Sequence, residues 1–198
     1  MISVIVQLII LFFVIFDPPA SFAVFVAGTR NMTVVEKRKT AVYAVLFAAI
    51  LSLVFLLFGE QVLQLFTTNI NEFKVAGGII LGILGVKMAL GHTIVDTKSS
   101  DGEKRAVAAI IATPLLTGPA AITAIIISVH DFGMVLTGVA VAVVLIATAL
   151  IFFTAEKINK LGGKTTIQMV STILGLITLA WGVKFVMAGL QAIMAGVG

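Results

Sequence analysis

Long runs of apolar residues, separated by short polar stretches, make up almost the whole chain. Each run has close to the roughly 20 residues that an α-helix needs to cross the hydrocarbon core of a bilayer. The pattern therefore predicts an all-α integral membrane protein with six transmembrane helices. Their approximate bounds are residues 1–27, 41–66, 73–91, 106–129, 134–155 and 168–194.

Prolines interrupt the first and the fourth of these runs, at Asp17–Ser21 and at Thr113–Pro119. A proline inside a helix removes one backbone hydrogen bond and clashes with the carbonyl one turn earlier. In hydrocarbon the freed backbone groups cannot turn to water, so a break survives only where protein or a wet cavity covers it. We predict that helices one and four are discontinuous. Matching breaks in two halves point to a transporter binding site, although a pair of purely structural kinks is the alternative.

Composition agrees with this membrane interpretation and excludes several kinds of site. The chain is 60% hydrophobic and 11% charged, whereas soluble domains are about 45–50% apolar and about 25% charged. It has no cysteine, which rules out a disulfide, a thiol nucleophile and a cysteine metal site. Metal, nucleotide and nucleophile motifs are also missing, so we expect no enzyme activity, no metal and no cofactor, and no direct use of ATP.

The positive charges collect in alternate loops, and this sets the predicted orientation. Loops one, three and five are basic, whereas loops two and four carry essentially only Lys74. The positive-inside rule places the basic loops in the cytoplasm and both termini outside the cell. Charge held in short loops also argues against nucleic acid as a partner, since no basic face remains. The basic residues are Arg30, Lys37, Arg38, Lys39, Lys98, Lys104, Arg105, Lys157, Lys160 and Lys164.

The two halves of the chain match each other at an offset of 96 to 97 residues. We predict a first repeat at 1–95, a cytoplasmic linker at 96–105 and a second repeat at 106–198. Three spans are an odd number, so the second repeat must be inverted in the membrane, as in many secondary transporters. Chance similarity among Leu, Gly and Val runs is the alternative. The matches are Asp17-Pro18 with Thr113-Pro114, Ser21 with Thr117, Ser52 with Thr148, Glu60–Leu65 with Glu156–Leu161, Gly78 with Gly175, and Gly85–Lys87 with Gly182–Lys184.

At the two breaks the sequence resembles the MarC family, the SnatA-like transporters of small neutral amino acids. Residues 114–122 read Pro-Leu-Leu-Thr-Gly-Pro-Ala-Ala-Ile, similar to the family's Pro-Leu-Leu-Ala-Gly-Pro-Gly-Ala-Ile. Residues 17–21 read Asp-Pro-Pro-Ala-Ser, where the family usually shows Asn-Pro-x-Gly-Asn. The resemblance covers all six spans. It implies transport of glycine and alanine driven by a proton or sodium gradient.

Asp17 is the sharpest candidate residue, because a carboxylate in mid-membrane costs about 2.5–3.5 kcal/mol even on a lenient insertion scale. It caps the following half-helix, either with that role alone or together with a role in ion coupling. The half-helix N-termini after the breaks suit a substrate carboxylate, and carbonyls freed before them suit an ammonium group. Small residues favour glycine, alanine or serine as substrate. The predicted substrate-binding residues are Asp17, Pro18, Pro19, Ala20, Ser21, Thr113, Pro114, Thr117, Gly118, Pro119, Ala120 and Thr123.

Two lysines lie within the predicted third and sixth spans, at Lys87 and Lys184. We expect each lysine to extend its side chain to the nearer membrane–water interface, where its charge stays in water. The repeat also suggests gates, with Lys87 paired to Glu156 on the inner side and Lys184 paired to Glu60 on the outer side. Small residues in the same spans, such as Gly78 and Ser171, indicate close helix packing and, as the alternative, ligand contact.

The expected function is a secondary transporter of small neutral amino acids in the plasma membrane. Its expected partners are the amino acid, a coupling proton or sodium ion and the lipid bilayer, and a homo-oligomer is left open. Alternatives are an exporter of other small solutes on the same scaffold, a passive channel and an intramembrane enzyme. An enzyme would need a second titratable group beside Asp17.

Overall fold

The computed structural model describes residues 2–29, 32–90, 118–154 and 164–196, and every regular element within these ranges is an α-helix. The all-α class is therefore confirmed. The linker 96–105 and the first half of the fourth run lie outside the described residues. In chain order the helices are α1 (Ile2–Phe16), α2 (Pro18–Gly28), α3 (Val34–Leu65), α4 (Ile70–Ala89), α5 (Pro119–Phe132), α6 (Met134–Phe153) and α7 (Lys164–Met194).

Three of these helices are long and apolar enough to cross a membrane: α3, α6 and the 169–194 part of α7. The apolar helices α1 and α5 are shorter: α1 ends at the proline break, and the residues before Gly118 lie outside those described. Large apolar side chains cover the outside of the bundle, and Phe47, Ile50, Ile83, Ile146 and Ile173 are each more than half exposed. An apolar surface of this extent fits contact with lipid.

The predicted break in the first run is confirmed. Helix α1 ends at Phe16 and α2 begins at Pro18, which leaves Asp17 between them with φ of 40°. The backbone of Asp17 still takes part in both helices, because its N–H donates to Phe13 O (3.1 Å) and its carbonyl accepts from the Ser21 N–H (3.0 Å). The break is therefore a sharp local bend and not a long unwound segment.

Several helix ends differ from the predicted loops. Helix α3 begins at Val34 instead of about 41, because Thr33 and Glu36 form a capping box that satisfies the first amides. Asn69 and Glu72 form a second capping box at the start of α4. Helix α5 runs through the predicted link at His130-Asp131 and ends at Phe132, since the turn uses only Gly133, whose φ is 85°.

Helices α4 and α7 pack closely through glycines. A Cβ atom built on Gly85 would lie 2.7 Å from the Gly175 carbonyl oxygen, and one on Gly175 would lie 2.9 Å from that of Gly85. Gly78 and Gly182 meet in the same way further along, so residue numbers rise in α4 as they fall in α7 and the helices are antiparallel. The 97-residue offset exchanges these two contacts.

The core of the bundle is apolar and is built from both halves. Leu11, Phe12 and Phe16 of α1 are each at most 1% exposed, as are Ile125 and Ile127 of α5. The rings of Phe25 in α2 and Phe152 in α6 stack with centroids 4.6 Å apart. This packing holds the bent first run, and with it Asp17, between helices of the second half.

Candidate functional site

Asp17 is buried at the bend between α1 and α2, with only 4% of its surface exposed. Its φ of 40° lies in the left-handed region, which few non-glycine residues adopt and in which Asp and Asn are enriched. Such conformations persist where the surrounding structure enforces them, and they cluster at functional sites. The bend thus holds a carboxylate inside the apolar core.

The Asp17 side chain is held by a residue of the other half of the chain. Ser171 Oγ, from α7, donates a hydrogen bond to Asp17 Oδ2 at 2.8 Å. The sequence interpretation placed Ser171 among small packing residues and missed this contact. The sequence did carry one signal for this contact. Ser171 lies on the same helix face as Gly175 and Gly182, and that face packs against α4 of the first half.

The prolines leave two buried carbonyl groups beside the carboxylate without a helical donor. In a continuous helix residues 18 and 19 would donate to the carbonyls of Val14 and Ile15, but Pro18 and Pro19 have no N–H. The next carbonyl, that of Phe16, accepts from Ser21 Oγ at 3.1 Å. The bend therefore combines a carboxylate with carbonyl oxygens, a set of acceptors that suits an ammonium group or a small cation.

The second break is described only from its far side, where α5 begins. Gly118 is the N-cap and gives no side-chain cap, and Pro119 occupies the first turn. The N–H groups of Ala121 and Ile122 donate to the Gly118 carbonyl, at 2.9 and 3.1 Å. This leaves the amide of Ala120 as the first-turn donor with no acceptor in its own helix, at the positive end of the helix dipole.

The structure describes some of the other predicted binding residues, and the rest lie outside the described ranges. Pro18, Ala120 and Thr123 are buried, Pro19 is half-buried, and Pro119 is exposed. Thr123 Oγ1 donates to the Pro119 carbonyl at 2.8 Å, so this hydroxyl is used within its own helix. Thr113, Pro114, Thr117 and the side chain of Ala20 lie outside the described residues.

Of the predicted gates, the outer pair is not formed in the part of the chain that the structure describes. Lys184 Nζ lies 4.3 Å from the ring centroid of Trp181, one turn earlier in α7. Glu60 Oε1 lies 3.4 Å from His130 Nδ1 instead. The reason is local, because a cation–π contact within α7 holds the lysine against its own helix. Glu156 lies outside the described residues, so the pair with Lys87 stays a prediction.

The structure contains a different ion pair between the halves, Lys74 with Asp131. Lys74 Nζ in α4 lies 2.8 Å from Asp131 Oδ1 near the end of α5, and the two side chains are 12% and 32% exposed. The sequence interpretation did not pair them. A signal was present, because Lys74 is the one basic residue of the even-numbered loops and Asp131 lies in the other such loop.

The described ranges contain no group of three or more His, Asp or Glu side chains that could hold a metal ion. The groups at the two breaks offer recognition of charge. They are a buried carboxylate with carbonyl oxygens at one break and a helix N-terminus at the other.

Residues 2–194 match the model of a protein family whose description is "MarC family integral membrane protein". The chain is 31% identical over 188 residues to a UPF0056 membrane protein of Archaeoglobus fulgidus, covering 90% of this chain and 88% of that one. It is 29% identical over 195 residues to the UPF0056 membrane protein YhcE of Escherichia coli, covering 93% and 90%. No solved structure matches the chain. These names describe membrane proteins and give no substrate.

Proposed function

We propose that this protein, which belongs to the MarC family of integral membrane proteins, is a secondary transporter of small neutral amino acids driven by a proton or sodium gradient. The observation that carries the proposal is the bend at Asp17. A buried carboxylate sits there among carbonyl groups freed by prolines and accepts a hydrogen bond from the other half of the chain. Ionisable groups at membrane depth mark substrate and ion pathways.

A zwitterionic amino acid fits the two kinds of group that the breaks supply. Its ammonium group would bind at Asp17 and the carbonyls of Val14 and Ile15. Its carboxylate would bind at the N-terminus of α5, where the Ala120 amide has no acceptor in its own helix. Ser21 and Ala120 are themselves buried in the packed core, so we expect a short substrate side chain, which favours glycine, alanine or serine.

Alternating access would come from two inverted repeats that move against each other. The antiparallel pairing of α4 with α7 supports this, since parallel repeats would make these equivalent helices parallel. The glycine contacts support it too, because the 97-residue offset exchanges Gly78–Gly182 with Gly175–Gly85. In this proposal both termini are extracellular, the protein spans the plasma membrane several times, and neither a cofactor nor nucleic acid takes part.

The deciding experiment is uptake of radiolabelled glycine into proteoliposomes with separately imposed proton, sodium and voltage gradients. We expect saturable uptake that one gradient accelerates and that unlabelled internal glycine stimulates by counterflow, which a passive channel does not show. Glycolate, which has a hydroxyl in place of the ammonium group, should not compete. If no imposed gradient drives glycine or alanine, the proposed substrate class is wrong.

Asp17→Asn tests the coupling role in the same assay, with Glu36→Gln as the matched control. The control also removes one carboxylate, but glutamine keeps the capping box of α3. We expect Asp17→Asn to lose the acceleration by the gradient and Glu36→Gln to keep it. A gradient response that survives in Asp17→Asn would make Asp17 a structural residue and place ion coupling elsewhere.

A further inference from the structure

Two hydrogen bonds join a donor on a central helix to an aspartate of the opposite half of the chain. Ser171 Oγ in α7 donates to Asp17 Oδ2 at 2.8 Å, and Lys74 Nζ in α4 donates to Asp131 Oδ1 at 2.8 Å. Asp17 belongs to the first half of the chain and its donor to the second half. Asp131 belongs to the second half and its donor to the first half. The two contacts thus cross the boundary between the halves in opposite directions, although the two aspartates are not equivalent, since Asp17 falls on Thr113 in the repeat.

The two donors also occupy equivalent positions in the repeat. Lys74 falls on Ser171 at the same 97-residue offset that places Gly78 on Gly175 and Gly85 on Gly182. The donors lie far apart in the structure, because α4 and α7 are antiparallel. The donors are therefore equivalent in the repeat, and each is bound to an aspartate across the boundary between the halves.

The centre of this arrangement is the contact between Gly82 and Leu179. These residues are equivalent at the same offset, and a Cβ atom built on Gly82 would lie 3.9 Å from Leu179 Cδ1. Lys74 and Ser171 each precede the centre by eight residues, which is about 12 Å along a helix axis. The donors therefore lie on opposite sides of the glycine contact, one toward each end of the bundle.

We propose that Ser171–Asp17 and Lys74–Asp131 are the two latches of the transport cycle, placed on either side of a pivot where α4 and α7 pack through glycines. This inference rests on the proposed function. The Lys74–Asp131 latch lies at the end of the bundle that carries the turn at Gly133, the predicted outer side. The Ser171–Asp17 latch lies toward the start of α7, which follows a basic loop and faces the predicted cytoplasmic side.

The two latches respond differently to substrate because their chemistry differs. Ser171 offers Asp17 one neutral O–H donor. A substrate ammonium group brings several N–H donors and a positive charge, so it adds ion-pair attraction that the neutral Ser171 hydroxyl does not supply. Substrate therefore competes with Ser171 for Asp17, and its binding releases the inner latch. Lys74 already gives Asp131 a charged partner. We therefore expect a zwitterionic substrate, which has no net charge, to leave the outer latch closed.

The outer latch is tested by the reactivity of one introduced cysteine, since the chain has none of its own. Thr123→Cys is the reporter, because Thr123 is buried at the α4–α5 contact, where its methyl group packs directly on Gly77. In nanodiscs, which expose both faces, we expect Asp131→Asn to raise the labelling rate of Cys at 123 about tenfold, within the range typical of conformational coupling.

Two further variants make the outer-latch test specific. The exchange Lys74→Asp with Asp131→Lys should return labelling to the starting rate. Glu60→Gln removes another polar contact between the halves at this end, the one with His130, which is longer at 3.4 Å and more exposed, and it should change labelling less than twofold. Unchanged labelling in Asp131→Asn, or an exchange that labels as fast as the single variant, would overturn the outer latch.

The inner latch is tested by separating glycine binding from turnover. Ser171→Ala removes one competitor for Asp17, so we expect glycine to bind about two- to fivefold more tightly while turnover falls, the pattern of losing an interaction made in only one state. Ser171→Thr keeps a hydroxyl and should restore both values. A purely structural role would weaken binding in Ser171→Ala, and that result would overturn the inner latch.

These outcomes are distinguishable from a failure of the proposed function. Labelling at position 123 needs no transport, so the outer latch can be established even if glycine is not carried. Conversely, glycine uptake with unchanged labelling and unchanged affinity in all the variants would remove the latches and leave the transporter assignment standing.

Discussion

Gly78 and Gly182 pack backbone against backbone: a Cβ atom on Gly78 would lie 2.6 Å from the Gly182 carbonyl oxygen, and one on Gly182 would lie 2.7 Å from that of Gly78. Backbone cannot move aside as a flexible side chain can. The approach therefore depends on the missing side chains, as in other closely packed membrane helices. This contact gives the proposed pivot its short distance between helix axes.

We predict that Gly78→Ala destabilises the protein by about 1–3 kcal/mol, the usual cost of overpacking. Gly82→Ala is the matched control in the same helix, because its Cβ atom would meet only Leu179 Cδ1 at 3.9 Å. Thermal unfolding in detergent should show a clear fall for the first variant and little change for the second. Equal stability of the two variants would contradict the close approach of α4 and α7.

At Asp17 we predict that a substitution that abolishes ion coupling leaves the stability of the protein intact. Asn tolerates φ of 40° and still offers an oxygen to Ser171, so Asp17→Asn should be at least as stable as the natural protein. Asp17→Val should be less stable than Asp17→Asn by about 1–2 kcal/mol, because a branched side chain fits the left-handed region poorly. Thermal unfolding of both variants tests this. A valine variant as stable as the asparagine variant would argue against the bend.

Two threonines of α6, both fully buried, are predicted to respond in opposite directions to replacement by valine. Thr137 Oγ1 has no hydrogen-bond partner among the residues that the structure describes, whereas Thr148 Oγ1 donates to the Val144 carbonyl at 2.8 Å. Thr137→Val should stabilise the protein, because an unsatisfied buried hydroxyl costs about 1–3 kcal/mol. Thr148→Val should cost about 0.5–1.5 kcal/mol, the net value of a hydrogen bond. Unfolding temperatures that shift in the same direction would contradict this.

The orientation in the membrane is predicted from charge and can be measured in intact cells. Thr67→Cys lies in the link between α3 and α4, which is predicted to be outside, and Val35→Cys lies at the start of α3, predicted to be inside. Because the chain has no cysteine, a membrane-impermeant thiol reagent should label the first variant and spare the second until the cells are opened. The reverse pattern would place both termini in the cytoplasm.

Much of the fold follows from local properties of the chain, and so it could be predicted from the sequence. The run of apolar residues determines that the protein enters a bilayer, and Pro18 and Pro19 determine where the first helix must break, since neither can donate a backbone hydrogen bond. Helix starts were predicted less well. The capping box at Thr33 starts α3 several residues before the apolar run, inside a stretch that composition marks as a loop.

Pairings between distant residues could not be predicted from the sequence. Lys184 was expected to reach Glu60, but it lies over Trp181, and Glu60 contacts His130. Several charged groups lie near the same end of the bundle, and the rotation of each helix about its axis selects which of them meet.

By itself, then, the sequence determined the membrane class, the bend at Asp17 and the family, because these depend on residue type and order. Only the tertiary structure decided that Ser171 reaches Asp17 and that Lys74 reaches Asp131. The physical reason is that the close packing of α4 on α7 sets which faces of distant helices meet, and no local pattern records that choice.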